Sequence, residues 1–190
     1  MSIAERFMGI PTGNICDCNE LEGAMSSAIM PLHYKMKMAG VAMTVECQPG
    51  DNLTIHKAIH IAEPGTVLVI NCKGYTDRGV FGEMFATSCV ARGIVGVVID
   101  GGCRDKEDLI EMNFPTFVRG VNPNGTRKEV CGEINIPISC GGIIVNPGDI
   151  IIGDADGVVC IRKKDAEAVL EKSQAKKEKE IVMKPQLAAG

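Results

Sequence analysis

Three consecutive stretches constrain the fold most: "TVLVIN" (66–71), "EMFATSCVARG" (83–93) and "IVGVVID" (94–100). A short β-branched run, a helix-patterned crossover and a second such run, in that order, predict two parallel strands with a helix packed on them. Parallel neighbours need a long connection that a hairpin turn cannot supply. The pattern continues through the loop "GGCRD" (101–105), a helix "KEDLIEMN" and a strand "PTFVRGV". Upstream, "AGVAMTVE" reads as a strand broken at Pro49-Gly50-Asp51, and "NLTIHKAIHIAEPG" as a helix stopped by Pro64-Gly65. "CNELEGAMSSAIMPL" (18–32) predicts an earlier helix.

The last third differs. "EINIPISCGGIIVNPGDIIIGDADGVVCI" is all strand, with turns at Gly141-Gly142, Pro147-Gly148 and Asp156-Gly157, and a final helix "KKDAEAVLEKSQAKKEKEIV" follows it. The expected class is therefore α/β, a parallel α/β layer joined to an all-β layer. One domain is expected overall, with an N-terminal helical segment (1–34), a core (35–162) and a C-terminal helix and tail (163–190).

Composition narrows the function. A net charge of −4, no Trp, two Tyr and five Phe provide neither a basic footprint for phosphates nor stacking platforms for bases, so direct nucleic-acid binding is not expected. The apolar runs are short and broken by Gly and charge, and "MSIAERFMGI" carries Glu and Arg where a signal peptide needs an apolar run. The expected location is cytoplasmic, with no membrane association.

Nine Cys is an odd count, and Cys47, Cys72, Cys89, Cys103, Cys140 and Cys160 sit in or beside apolar runs, so reduced core thiols are expected. Cys16 and Cys18 form a C-x-C without the second pair of a zinc site, and no Cys has a recognisable His partner. His56 and His60 fall on one helix without the acid or third ligand of a paired-His metal motif, so a solvated or capping role is expected. "GDADG" lacks the distal Glu of a calcium loop and reads as a hairpin turn. "GIVGVVIDGG" lacks the glycine spacing and following helix of a dinucleotide site.

Loops after successive parallel strands open on one edge, where ligands bind. The turns "FGEM" and "GGCRD" both open there, bringing Glu83 beside Arg104 and Asp105 together with the free N–H groups of Gly82, Glu83, Met84 and Phe85. The bland reading makes Asp105 the N-cap of its own helix. The functional reading makes an anion pocket with a carboxylate edge. It suits a small 2-oxo acid, whose carboxylate is held by the helix start and Arg104 and whose keto oxygen is held by a hard cation, Mg2+ or Mn2+, on Asp105.

"GEMFATSCVARGIVGVVIDGGCRDKEDL" resembles the signature of the RraA-like family: an acid, twenty residues, Arg-Asp, two residues and another acid, here Glu83, Arg104-Asp105 and Asp108. "DNLTIHKAIHIAEPGTVLVIN", "FPTFVRGVNPNGT" and the β-rich last third are similar to the family too, so the likeness covers about residues 35 to 180. It implies a β/β/α swivelling-type domain in a homo-oligomer, a trimer or hexamer. One branch consists of divalent-metal aldolases that cleave 4-hydroxy-4-methyl-2-oxoglutarate or 4-carboxy-4-hydroxy-2-oxoadipate to pyruvate through a metal-stabilised enolate, often with oxaloacetate decarboxylase activity. Another branch regulates ribonuclease E.

The resemblance assigns Arg104 to substrate and enolate, Asp105 to metal, and the backbone of Gly82, Glu83, Met84 and Phe85 to the substrate site. It assigns Glu83 to the water that deprotonates the C4 hydroxyl, although aldolases of the family commonly carry Asp there. Glu180 of a neighbouring subunit, or alternatively Glu178, would complete that network. The leading expectation is a metal-dependent pyruvate aldolase or oxaloacetate decarboxylase, and the alternative is a non-catalytic regulator of an RNA-processing protein. The likeness to swivelling phosphotransfer domains has no phosphoryl acceptor, because Cys89 follows Thr87-Ser88 where those modules carry His.

Overall fold

A computed structural model describes residues 1–189. Its central strand, β3 (Thr66–Asn71), is buried along its whole length, as expected of a parallel strand covered on both faces. Alternation divides its side chains: Leu68 and Ile70 enter one core, Val67 and Val69 another. The parallel neighbours of β3 are β2 (Met38–Glu46) and β5 (Gly96–Cys103), and β6 (Thr116–Val121) runs parallel beyond β5.

The antiparallel part joins the same sheet. The hairpin of β10 (Ile150–Asp154) and β11 (Gly157–Ile161) pairs through β10 with β2, while β1 (Met30–Pro31) pairs with β6. The strand order is β1-β6-β5-β3-β2-β10-β11, with β4 (Gly79–Phe81) parallel to β5 and β7 (Glu133–Ile134) antiparallel to β2, which makes nine strands in this sheet among the described residues. The segment leading into β1 also bridges β11: Met25 N–H donates to Val158 (2.9 Å) and Cys160 N–H to Gly23 (2.8 Å), so the sheet nearly closes. Inside the curl lie Val67, Val98, Phe117 and Ile151 with the small hairpin β8 (Ile138–Cys140) and β9 (Ile143–Val145). The parallel α/β part and the all-β part expected from sequence are thus both present, fused edge to edge through β2 and β10.

Helices cover the outside. α3 (Leu53–Ile61), α4 (Glu83–Ala91) and α5 (Lys106–Glu111) contribute Ile55, Ala86 and Leu109 to the core over the parallel strands. α1 (Ile3–Arg6), α2 (Thr12–Cys18) and the 23-residue α6 (Ala166–Ala188) pack on β10 and β11 through Phe7, Ile15 and Leu170. No described helix is long and apolar enough to cross a membrane.

The helix expected over 18–32 does not form. α2 ends at Cys18, Glu20 and Leu21 adopt left-handed backbone (φ 56° and 61°), and Gly23 follows at φ 87°. The buried Met25 and Ile29 imitate a helical period, but this stretch instead supplies the strand pairs that close the sheet, a long-range demand that overrides local pattern. "GDADG" is the β10–β11 turn, and its Asp154 carboxylate accepts from Thr12 N–H (2.9 Å) and Thr12 Oγ1 (2.7 Å) at the start of α2.

Candidate functional site

The C-terminal ends of β4 and β5 deliver Gly82, Arg104 and Asp105 to one edge, where a cavity of about 590 Å3 opens. One wall is the start of α4, with Gly82, Met84 and Phe85; another is the start of α3, with Asn52 and His56; the third is the 125–128 segment, with Gly125, Thr126 and Lys128. This third wall is pinned from beneath. The buried Asp51 carboxylate accepts from Leu53 N–H (2.9 Å), Glu129 N–H (2.7 Å) and Val130 N–H (3.1 Å). Gly79 N–H donates to Asn124 (3.0 Å), and Arg78 donates to the Gly125 carbonyl.

Asp105 occupies the residue before α5, yet its side chain does not cap that helix. Its backbone is left-handed (φ 56°, ψ 44°), a conformation Asp tolerates better than most residues and one that clusters at functional sites. The carboxylate instead crosses to α4, where Oδ2 accepts from Glu83 N–H at 3.1 Å. Gly82 makes this approach possible, because a Cβ there would lie 2.3 Å from Asp105 Oδ2. Arg104 Nε stands 3.5 Å from the same oxygen, and both side chains remain partly exposed, so the ion pair itself contributes only about 0–1 kcal/mol.

The four N–H groups expected to be free are only partly so. Glu83 N–H goes to Asp105, and Phe85 N–H turns back to the Gly82 carbonyl at 3.1 Å, leaving the Gly82 and Met84 N–H groups without a protein acceptor among the described residues. Met84 itself is 75% exposed at the rim. The Glu83 carboxylate accepts from Thr87 Oγ1 (2.9 Å) along its own helix and does not line the cavity. Asp108 is exposed on the first turn of α5, outside the cavity. Glu180 lies on α6, where it accepts from Asn14 Nδ2 at 3.0 Å, and Glu178 is exposed.

Sequence reasoning did not assign Asn52, His56 or Lys128 to this site. His56 meets Phe85 edge to face (4.5 Å, 68°), and Phe85 stacks on Phe81 at 5.6 Å. Burial, and secondly the Lys128 ammonium, hold the His56 imidazole below its ordinary pKa. Asn52 is buried and donates to the Val80 carbonyl (3.2 Å), which leaves its Oδ1 buried without a donor. The signal available in the sequence was the position of Asn52 and His56 one turn apart at the start of a helix that follows a parallel strand. His60, on the same helix, is tied to Arg92 (3.0 Å) outside the cavity.

The thiols offer no nucleophile here. The six core cysteines expected from sequence are all buried, and burial pushes the Cys103 thiol beside Arg104 up to about 12. Among the described residues no group of three His, Cys, Asp or Glu could hold a metal. A cation bound here would therefore take one protein ligand, Asp105, whose Oδ1 accepts no protein hydrogen bond, and complete its shell from water and substrate. That donor set fits Mg2+ or Mn2+ and does not fit zinc.

A nearly closed mixed sheet with an Arg-Asp pair at the parallel edge defines the class of protein, and the comparisons give its family. The family model described as RraA-like, Aldolase/RraA, matches residues 12–160, and the chain belongs to this family. A protein of Halalkalibacterium halodurans named "Putative 4-hydroxy-4-methyl-2-oxoglutarate aldolase" is 42% identical over 171 residues, 90% of this chain and 81% of that one. An uncharacterized protein from Pseudomonas syringae superposes with a TM-score of 0.90 at 26% identity, covering 99% of this chain and 89% of that one. The RNA-processing inhibitor RraA from Thermus thermophilis superposes at 0.74 with 25% identity, covering 81% and 93%.

Proposed function

We propose that the protein is a divalent-metal-dependent pyruvate aldolase that cleaves a 4-hydroxy-2-oxo acid resembling 4-hydroxy-4-methyl-2-oxoglutarate, and that it also decarboxylates oxaloacetate. The observation that carries this reading is the Arg104–Asp105 pair, fixed to the start of α4 by Asp105 and Glu83 N–H, in a cavity of small-molecule size. The similarity to proteins named as aldolases supports it.

Arg104 and Met84 N–H bind the 2-oxo acid carboxylate, because a guanidinium and a helix start both favour an anion. Asp105 holds the cation, with its second oxygen oriented by Glu83 N–H. Mg2+ or Mn2+ bound by Asp105 would supply positive charge for the negative charge that develops as the bond between C3 and C4 breaks. Arg104 adds charge to the same region. Phe81, Phe85 and Ile59 line the apolar side and limit water there. In this reading the protein acts in the cytoplasm as a homotrimer or hexamer. Glu180 of a neighbouring subunit then leaves Asn14 to complete the site, and Glu83 leaves Thr87 to hold a water.

The test is pyruvate release from oxaloacetate and from 4-hydroxy-4-methyl-2-oxoglutarate with Mg2+ or Mn2+, and again after chelation. Metal-dependent release is expected, and no release from either substrate contradicts the reading. A second reading, a regulator that binds ribonuclease E or another RNA-processing protein, is favoured by the superposition on the Thermus inhibitor. It predicts no turnover and inhibition of the ribonuclease.

A further inference from the structure

We propose that Lys128 is a specificity-determining residue that binds the substrate's far carboxylate, so that the acids this site takes are 2-oxo dicarboxylates. The assignment deepens the aldolase reading above and rests on it. A substrate such as 4-hydroxy-4-methyl-2-oxoglutarate carries one carboxylate beside its keto group and a second on C4. Arg104 and Met84 N–H account for the first, and Lys128 accounts for the second.

The backbone is fastened on both sides of Lys128. Arg127 N–H donates to the Gly50 carbonyl (2.9 Å), Asn52 N–H donates to the Arg127 carbonyl (3.1 Å), and Glu129 N–H donates to the buried Asp51 (2.7 Å). The charge of Arg127 acts on Asp51 beneath the wall, whereas Lys128 lines the cavity, the alternation of an extended chain that pairs in a bridge with Asp51. Burial first, and then the Lys128 ammonium, hold the His56 imidazole below its ordinary pKa, so the ammonium lies near that ring. A cation is thus directed into the cavity beside α3.

The charges of the cavity leave Lys128 without a protein partner. The ionisable side chains lining it are His56, Arg104, Asp105 and Lys128. Arg104 stands beside Asp105, whereas no ion pair reaches Lys128 among the described residues. A divalent cation on Asp105 adds further positive charge, so a dianion matches this cavity better than a monoanion does.

The two cationic anchors are also spaced for such a ligand. Gly125 lies beside the Arg104 guanidinium, since a Cβ on it would stand 3.9 Å from Nη1, and Lys128 follows on the same wall. The intervening backbone spans at most about 11 Å even when fully extended. Only C2, C3 and C4 separate the two carboxylates of the substrate, and the flexible Lys stem takes up the difference. Thr126, half-buried between the anchors, offers its hydroxyl to the same far carboxylate.

The test compares 2-oxoglutarate with 2-oxopentanoate, which has a methyl group in place of the far carboxylate. Neither has a 4-hydroxyl, so neither is cleaved, and each can be titrated by calorimetry into the Mn2+-loaded protein. Wild type is expected to bind 2-oxoglutarate about 10-fold more tightly than 2-oxopentanoate. Because Lys128 is exposed, this preference should narrow as salt rises. Lys128→Met keeps the stem and removes the charge, so it should bind both acids equally, with 2-oxopentanoate and oxalate affinities within about 2-fold of wild type. Lys128→Arg should retain the preference. No preference in wild type, a preference that survives in Lys128→Met, or an equal loss for all three ligands would overturn the assignment while leaving pyruvate release intact as support for the aldolase reading. A wild-type protein that releases no pyruvate overturns the aldolase reading and this assignment with it, whatever it binds.

Discussion

Asp105 Oδ2 accepts the Glu83 N–H at 3.1 Å, so the carboxylate that follows β5 caps the helix that precedes it. This single bond ties two crossover units together and leaves one carboxylate oxygen for a ligand. Asp105→Asn retains an oxygen for the cap and removes the charge. Divalent-cation binding measured by calorimetry should be lost and turnover should fall at least about 10²-fold, with the melting temperature nearly unchanged. Retained cation affinity would place the cation elsewhere.

Gly82 is required for space and not for conformation. Its φ of −159° is open to any residue, but a Cβ would lie 2.3 Å from Asp105 Oδ2 and 3.1 Å from Arg104 Cγ. Gly82→Ala should therefore push both side chains from their positions and cost about 10²-fold in kcat/KM, because a displacement near 1 Å suffices for that. Wild-type activity would mean that the carboxylate position is not critical.

Arg104→Lys keeps the charge and loses the planar two-pronged contact with a carboxylate. The expected loss is about 1.5–3 kcal/mol of substrate binding, roughly 10–100-fold in kcat/KM for pyruvate-forming cleavage. A variant as active as wild type would remove Arg104 from the substrate site.

The cavity wall depends on Asp51. Burial raises its pKa, but the N–H bonds from Leu53, Glu129 and Val130, with the charge of Arg127, outweigh that and hold it below the ordinary 3.8. A depressed folded pKa contributes stability that is present above the unfolded value and lost as pH falls through the folded one, so the contribution begins to decline near the ordinary 3.8 and is gone only below the folded value. Asp51→Asn cannot satisfy all three donors and should cost about 1–3 kcal/mol, a fall of several degrees in melting temperature at pH 7. The gap between variant and wild type should shrink in acid. A gap that persists at low pH would contradict this.

The parallel strands and their helices were legible because β3 and β5 are continuous apolar runs and their crossovers carry helical periods. The meeting of Arg104 and Asp105 with the start of α4 was legible because strand ends in such a sheet share one edge. Closure of the sheet was not legible, since Gly23, Ala24 and Met25 pair with β11 across more than a hundred residues and local pattern carries no record of it. Nor was the reach of Asp105 toward α4, because a cap supplied from another element leaves no sequence spacing to read. His56 was passed over for a related reason: judged against a metal motif it lacked partners, whereas its neighbours Phe85 and Lys128 come from distant segments.

The most direct test of the central claim is the position of Mn2+, located by anomalous scattering, in crystals grown with Mn2+ and oxalate, a planar mimic of the pyruvate enolate. The account predicts one manganese peak bound by the Asp105 carboxylate, with oxalate lying between it and Arg104 and Met84 N–H. A peak away from Asp105, or oxalate bound without Arg104, would contradict it.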